Sequence, residues 1–187
     1  AQTNHLHYMA STDEPDCLSL FINYVDSNVA RQLNSLRGRS GHFWSRRARV
    51  ITITDDLAVV QRLRYIVAQG PAAKLVASPR QWPGASSTPA LLGDMNIAAT
   101  YTSLDSISRN ARLAKPRPVS ELAERVDYQL TPIPPWAHLS PKALRAKHLE
   151  LVESIEAEFK HQEPLGVRAL LSQSPHRSSR HFHRTPA

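Results

Sequence analysis

Leu63-Arg64-Tyr65-Ile66-Val67-Ala68-Gln69-Gly70 closes a segment in which Leu57, Val60, Leu63 and Val67 recur at helical spacing. The periodicity predicts a helix that places Tyr65 and Gln69, four residues apart, on one face. A phenol and an amide oxygen pointing the same way can act as a nucleophile beside a metal ligand, if further ligands arrive from elsewhere. Taken alone, the pair is more commonly a half-buried aromatic beside a solvated neighbour. The assignment therefore rests on what surrounds it in the chain.

Immediately upstream, Val50-Ile51-Thr52-Ile53-Thr54 is β-branched throughout and reads as a central strand. Asp55 follows as the cap of the tyrosine helix. Downstream, Gly70-Pro71 ends that helix, residues 72–77 form a short further turn, and Trp82 in Trp82-Pro83-Gly84 plugs the edge of the core. Before the strand lies Gly38-Arg39-Ser40-Gly41-His42-Phe43-Trp44-Ser45-Arg46-Arg47-Ala48-Arg49, a basic loop with two adjacent aromatics. Charge that follows a phosphate backbone, beside rings that stack on bases, suits single-stranded nucleic acid. The competing reading is a solvated basic turn whose Phe43 and Trp44 anchor in the core. From Arg31 to Arg80 ten basic residues face only Asp55 and Asp56, an imbalance that favours a polyanionic partner.

Further upstream, Leu18, Phe21, Ile22, Val25, Val29, Leu33 and Leu36 mark the inner stripe of a helix that starts at Asp13-Glu14-Pro15-Asp16 and ends at Gly38. At the N-terminus, residues 4–10 alternate as a short strand, with His5 and His7 on one face where two imidazoles can share a cation. His181 and His183 repeat that spacing in a Ser/Arg/Pro-rich tail that has nothing regular around it.

Past Gly93 the composition changes. Residues 94–139 read as a linker ending in Lys115-Pro116-Arg117-Pro118 and a short edge strand over 126–130. Ser140-Pro141 begins a helix to about His161, with Leu144, Leu151, Val152, Ile155 and Phe159 inward and four glutamates outward, a packing or association surface. The C-terminal helix unit spans 140–163, and residues 164–187 read as a basic, disordered tail.

The chain has 187 residues, a formal charge of +7 and a pI near 10.0, enough for one domain with an appendage and suited to nucleic acid. Cys17 is the lone cysteine, which excludes an intramolecular disulfide framework and a multi-cysteine zinc site. No signal peptide or membrane-spanning run is visible. The expected location is the bacterial cytoplasm, at the nucleoid.

In order, Asn4-His5-Leu6-His7, the helix with Arg31 and Asn34, the 38–44 loop, the strand to Thr54, Asp55-Asp56, Leu63-Arg64-Tyr65-Ile66, Leu75-Val76 and Trp82-Pro83-Gly84-Ala85-Ser86-Ser87 resemble the single-tyrosine HUH transposases, and among them the REP-associated tyrosine transposases. The resemblance covers residues 1–93. It implies an α+β catalytic domain, ferredoxin-like or RRM-like, followed by a mostly helical C-terminal extension and the basic tail. Such domains place a strand, a helix and another strand before the His-hydrophobic-His strand. The chain opens at that motif, so the expectation is an N-terminally truncated domain.

By the same resemblance Tyr65 is the nucleophile, and His5, His7 and Gln69 hold a divalent metal, Mg²⁺ or Mn²⁺. Many family members carry Asn at the place of Gln69, which offers the same carbonyl on a longer arm. The implied activity is DNA transposition: metal-assisted cleavage and rejoining of hairpin-forming single-stranded DNA through a 5′-phosphotyrosine, with a homodimer as a candidate assembly. DNA contacts fall to Asn4, Arg39, His42, Trp44, Arg46, Arg47, Arg49, Arg62 and Arg64. Two rival readings remain: an inactive nucleic-acid-binding remnant of such an enzyme, and a structural or assembly protein whose basic charge is incidental.

Overall fold

Capping chemistry and apolar spacing set the helices of this chain, and the computed structural model describes residues 5–173. Helix α1 (Pro15–Leu36) starts with proline in its first turn, where no donor is lost, and Asp16 complements the helix dipole. It ends as Arg37 donates to the Leu33 carbonyl and Gly38 turns left-handed at a φ of 58°. Helix α2 (Asp56–Val67) is capped by Asp55, whose carboxylate accepts from the Ala58 amide at 2.8 Å. One turn, α3 (Gln69–Ala72), continues it after Ala68, and α4 (Thr88–Leu92) follows the Trp82 segment.

Strands β1 (Asn96–Tyr101) and β2 (Glu124–Gln129) pair antiparallel, from Asn96 opposite Gln129 to Tyr101 opposite Glu124, with α5 (Leu104–Ala111) between them in sequence. Ser140 caps α6 (Pro141–Phe159), its hydroxyl accepting from the Ala143 amide at 3.3 Å. The short α7 (Val167–Leu171) is the last described element. The fold is thus mixed α/β: seven α-helices and one two-stranded antiparallel sheet among the described residues.

The core lies where α2, α4 and α6 meet. Leu63, Val67 and Ala68 pack with Leu91, Met95, Leu144, Leu151, Val152 and Ile155, and Val152 and Ile155 are wholly buried. Each fully buried aliphatic side chain of this kind contributes about 1.5–3 kcal/mol relative to exposure. Met9, Trp136 and Phe159 close the periphery. The inward face expected of α6 is the observed one, with His148 added to it at 1% exposure. Trp82 also behaves as expected. Its ring lies against Gly70, where an added Cβ would approach Trp82 Cε3 to 3.3 Å and Val76 Cγ2 to 2.8 Å.

Four expectations are corrected. Residues 5–10 and 50–54 form no strand, because neither segment joins a ladder among the described residues. Their β-branched and alternating composition suits a pleated, half-covered surface, and none lies beside them; Val50 and Ile51 are more than half exposed. The stripe of α1 is not core-facing: its apolar residues are half-buried or exposed, with Leu36 81% exposed. The supposed linker holds the β1–β2 ribbon and α5. Asn110 ties that region together, donating to the Arg117 carbonyl at 2.8 Å and accepting from the Arg117 amide at 3.0 Å. The beginning of the supposed disordered tail is regular, since the Leu165 and Gly166 amides bond to the Lys74 and Leu75 carbonyls and α7 follows. Asn4, His181 and His183 lie outside the described residues.

Candidate active site around Tyr65

Tyr65 stands on α2 with Leu63 and Val67 on either side of it turned into the core, so helix periodicity leaves its ring 50% exposed. The segment 5–10 runs past this face, held by Met9 against the core and by Tyr8 edge-on to Phe21 of α1, ring centroids 5.7 Å apart. That anchoring brings His7 edge-on to Tyr65 at 5.5 Å between centroids, and His5 edge-on to His7 at 4.8 Å. Gln69 sits one helical turn below the tyrosine and its Nε2 donates to the Tyr65 carbonyl at 3.1 Å. His5, His7 and Tyr65 therefore gather at one place, through loop packing rather than a sheet, and Gln69 touches the tyrosine at its backbone carbonyl.

Electrostatics at the cluster favour neutral imidazole at His7. Burial lowers its pKa below the usual 6.5, and the neighbouring His5 lowers it further. Neutral imidazole is the form that ligates metals. Two imidazoles bound to one ion at adjacent positions have ring centroids on the order of 4.5–5 Å apart, given metal–nitrogen bonds of ~2.1 Å. The His5 and His7 centroids fall in that range, and their 81° edge-on arrangement is also that of an ordinary ring contact. The Gln69 Nε2 is committed to the backbone, and an amide oxygen is the end of such a side chain able to ligate a cation. Among the described residues no cluster of three His, Cys, Asp or Glu side chains could hold a metal ion.

Beside Tyr65 opens a groove of about 350 Å³ between α2 and α6, lined by Gln61, Arg64, Tyr65, Ala68, Ala72, Glu158 and Phe159. Arg64 crosses it to pair with Glu158. On the 3-10 turn Pro79–Gln81, Arg80 pairs with Glu156 at 3.1 Å, while Arg62 is exposed on α2. Periodicity identifies the glutamates of α6 as outward; that two of them take Arg64 and Arg80 depends on how α6 lies across the preceding segments, which spacing does not encode.

The basic loop divides into two parts. Arg39, His42, Arg46, Arg47 and Arg49 are exposed, as a phosphate-binding surface needs. Trp44 is half-buried, its Nε1 donating to the Asp26 carbonyl of α1 at 2.9 Å and its ring edge-on to Phe43 at 4.8 Å. Of the two readings for these aromatics, anchoring describes their contacts, and Trp44 presents no free face comparable to the arginines. Asn34 Nδ2 holds the loop by donating to the Gly41 carbonyl at 3.0 Å.

His148 was not singled out in the sequence. It lies on the stripe of Leu144, Leu151, Val152 and Ile155, which is the signal that places it inside. Its ring is edge-on to Trp136 at 5.3 Å and its Nδ1 has no hydrogen-bond partner. Burial lowers its pKa, opposed by a hydrogen bond to the Leu91 backbone.

No helix among the described residues is long and apolar enough to cross a membrane. Comparison of the chain with protein-family models, with curated proteins and with solved structures gives no match.

Proposed function

We propose that this chain carries the chemistry of a single-tyrosine HUH transposase, cleaving and rejoining single-stranded DNA with Tyr65 as nucleophile. The observation that supports it most is that the His5-Leu6-His7 segment meets Tyr65, from a distant part of the chain, with the His7 and Tyr65 ring centroids 5.5 Å apart. In this reading residues 5–10 carry the His-hydrophobic-His motif of a ferredoxin-like HUH domain to the tyrosine helix without a sheet, and the substrate is hairpin-forming DNA at the nucleoid of a bacterial cell.

The tyrosine Oη attacks the phosphorus of a phosphodiester, the bond from phosphorus to the 3′-oxygen breaks, and the departing oxygen takes a proton to become a 3′-hydroxyl. The product is a 5′-phosphotyrosine. Attack by another 3′-hydroxyl reverses the step and returns the phenol. His5, His7 and Gln69 would hold a divalent ion, Mn²⁺ or Mg²⁺, which when bound polarises the scissile phosphate and offsets its charge. Tyr65 presents its hydroxyl from a rigid helix, which fixes the direction of attack. The ring of His7 packs edge-on against it and limits its rotation. Phenols ionise near pH 10, so attack at neutral pH needs nearby positive charge; Arg62 and Arg64 stand on the same helix for that purpose or for phosphate contacts. Arg39, His42, Arg46, Arg47 and Arg49 would hold the strand backbone.

The test is covalent trapping on labelled single-stranded hairpin DNA with Mn²⁺ or Mg²⁺, comparing the parent with Tyr65→Phe. DNA binding with no covalent product from the folded parent favours the inactive-remnant reading. Weak binding with little salt dependence favours the structural one.

A further inference from the structure

The groove between α2 and α6 is not needed for the transfer step itself, yet Tyr65 forms part of its wall. Its shape and chemistry are specific. Ala68 and Ala72 leave room where larger side chains would fill it, and Phe159 supplies an aromatic surface packed at the edge of the core. Across the opening, Arg64 and Glu158 stand paired. A guanidinium carries five donors and a carboxylate about four acceptor sites, so one contact between them leaves both able to bind further. The rim thus offers donors and acceptors side by side above an apolar floor. A nucleobase has the complementary form: a flat π-face and an edge on which donors and acceptors alternate. At about 350 Å³ the space is also in the range of a small-molecule site.

We propose that this groove seats one unpaired nucleobase of the bound strand, stacked against Phe159 and read at its edge by Arg64 and Glu158, so that the adjoining phosphate lies beside Tyr65. This deepens the single-stranded DNA reading and rests on it. It gives α6, which belongs to the C-terminal extension, a direct part in holding substrate.

The experiment compares affinities of the full chain for two single-stranded oligonucleotides of equal length, one bearing bases and one a wholly abasic backbone. Variants are Ala72→Leu, which fills the groove from an exposed position, and Phe159→Ala. The parent is expected to prefer the base-bearing strand, and each variant to lose about fivefold or more of that preference, the lower end for one stacked base. Affinity for the abasic strand should stay unchanged in Ala72→Leu. A parent without the preference, or an Ala72→Leu variant that keeps it in full, overturns the proposal. The comparison reads binding alone. A parent that binds with base preference but forms no covalent product counts against Tyr65 as nucleophile and not against the groove.

Discussion

The imidazole of His7 stands edge-on to the ring of Tyr65, with centroids 5.5 Å apart. An aromatic contact of this kind is worth about 0.5–1.5 kcal/mol, too little to explain the placement of segment 5–10 by itself. Met9 against the core and Tyr8 against Phe21 do most of the anchoring. His7→Ala should therefore leave the chain folded. On the proposed reading, in which His7 is a direct metal ligand, metal-dependent strand joining should fall by more than the roughly 10–100-fold that substitutions of outer-sphere partners cost. Titration of joining against Mn²⁺ checks this. Equal activity in parent and variant would remove His7 from the metal site.

Gly70→Ala tests the packing beneath the site. The new Cβ would stand 2.8 Å from Val76 Cγ2 and 3.3 Å from Trp82 Cε3, with Val76 itself 1% exposed. Overpacking of this sort costs typically about 1–3 kcal/mol. Denaturant unfolding should show a lower midpoint at unchanged slope, with no change in metal affinity per folded molecule.

How far the sequence foretold these features depends on the range of the interactions. Helices α1, α2 and α6 follow from periodicity and local caps, and Asp55 and Ser140 cap as their positions imply. The strands at 5–10 and 50–54 do not form, because a strand requires a neighbour and composition alone cannot supply one. Ribbon β1–β2 was half visible: Glu124–Gln129 overlaps the edge strand read from 126–130, whereas in β1 the strand formers Ile97, Thr100 and Tyr101 are interrupted by Ala98 and Ala99 and show no clear alternation. The proximity of His5, His7 and Tyr65 agrees with the motif order, while the Arg64–Glu158 pair is a tertiary fact with no local signal.

Acid should destabilise this protein through His148. Its pKa in the fold is lowered by burial from the ordinary 6.5, so the unfolded chain binds the proton first as pH falls. The stability contribution is present in full above about pH 6.5 and declines as pH drops through and below that value toward the folded pKa. His148→Gln retains an N–H donor for the Leu91 carbonyl and removes the titration. Thermal melts between about pH 7.5 and about pH 5, spanning the histidine range, should show a flatter acid limb in the variant than in the parent.

The exposed arginines of the 38–49 loop make a separate prediction about binding. Replacing Arg46, Arg47 and Arg49 together by Ala should weaken affinity for any single strand regardless of sequence. If each contacts one phosphate, the slope of log K against log salt should shrink by about 2, at ~0.7 per contact. Fluorescence anisotropy across a salt series measures it, and an unchanged slope would place the strand elsewhere.

The central claim is that Tyr65 is a nucleophile toward DNA. The most direct measurement is a denaturing gel of labelled single-stranded hairpin DNA incubated with Mn²⁺ or Mg²⁺ and the parent chain, Tyr65→Phe or His5→Ala. The account predicts a covalent protein–DNA band for the parent that both substitutions abolish while circular dichroism shows them folded. A folded, DNA-binding parent that gives no band, or a band that survives Tyr65→Phe, would contradict it.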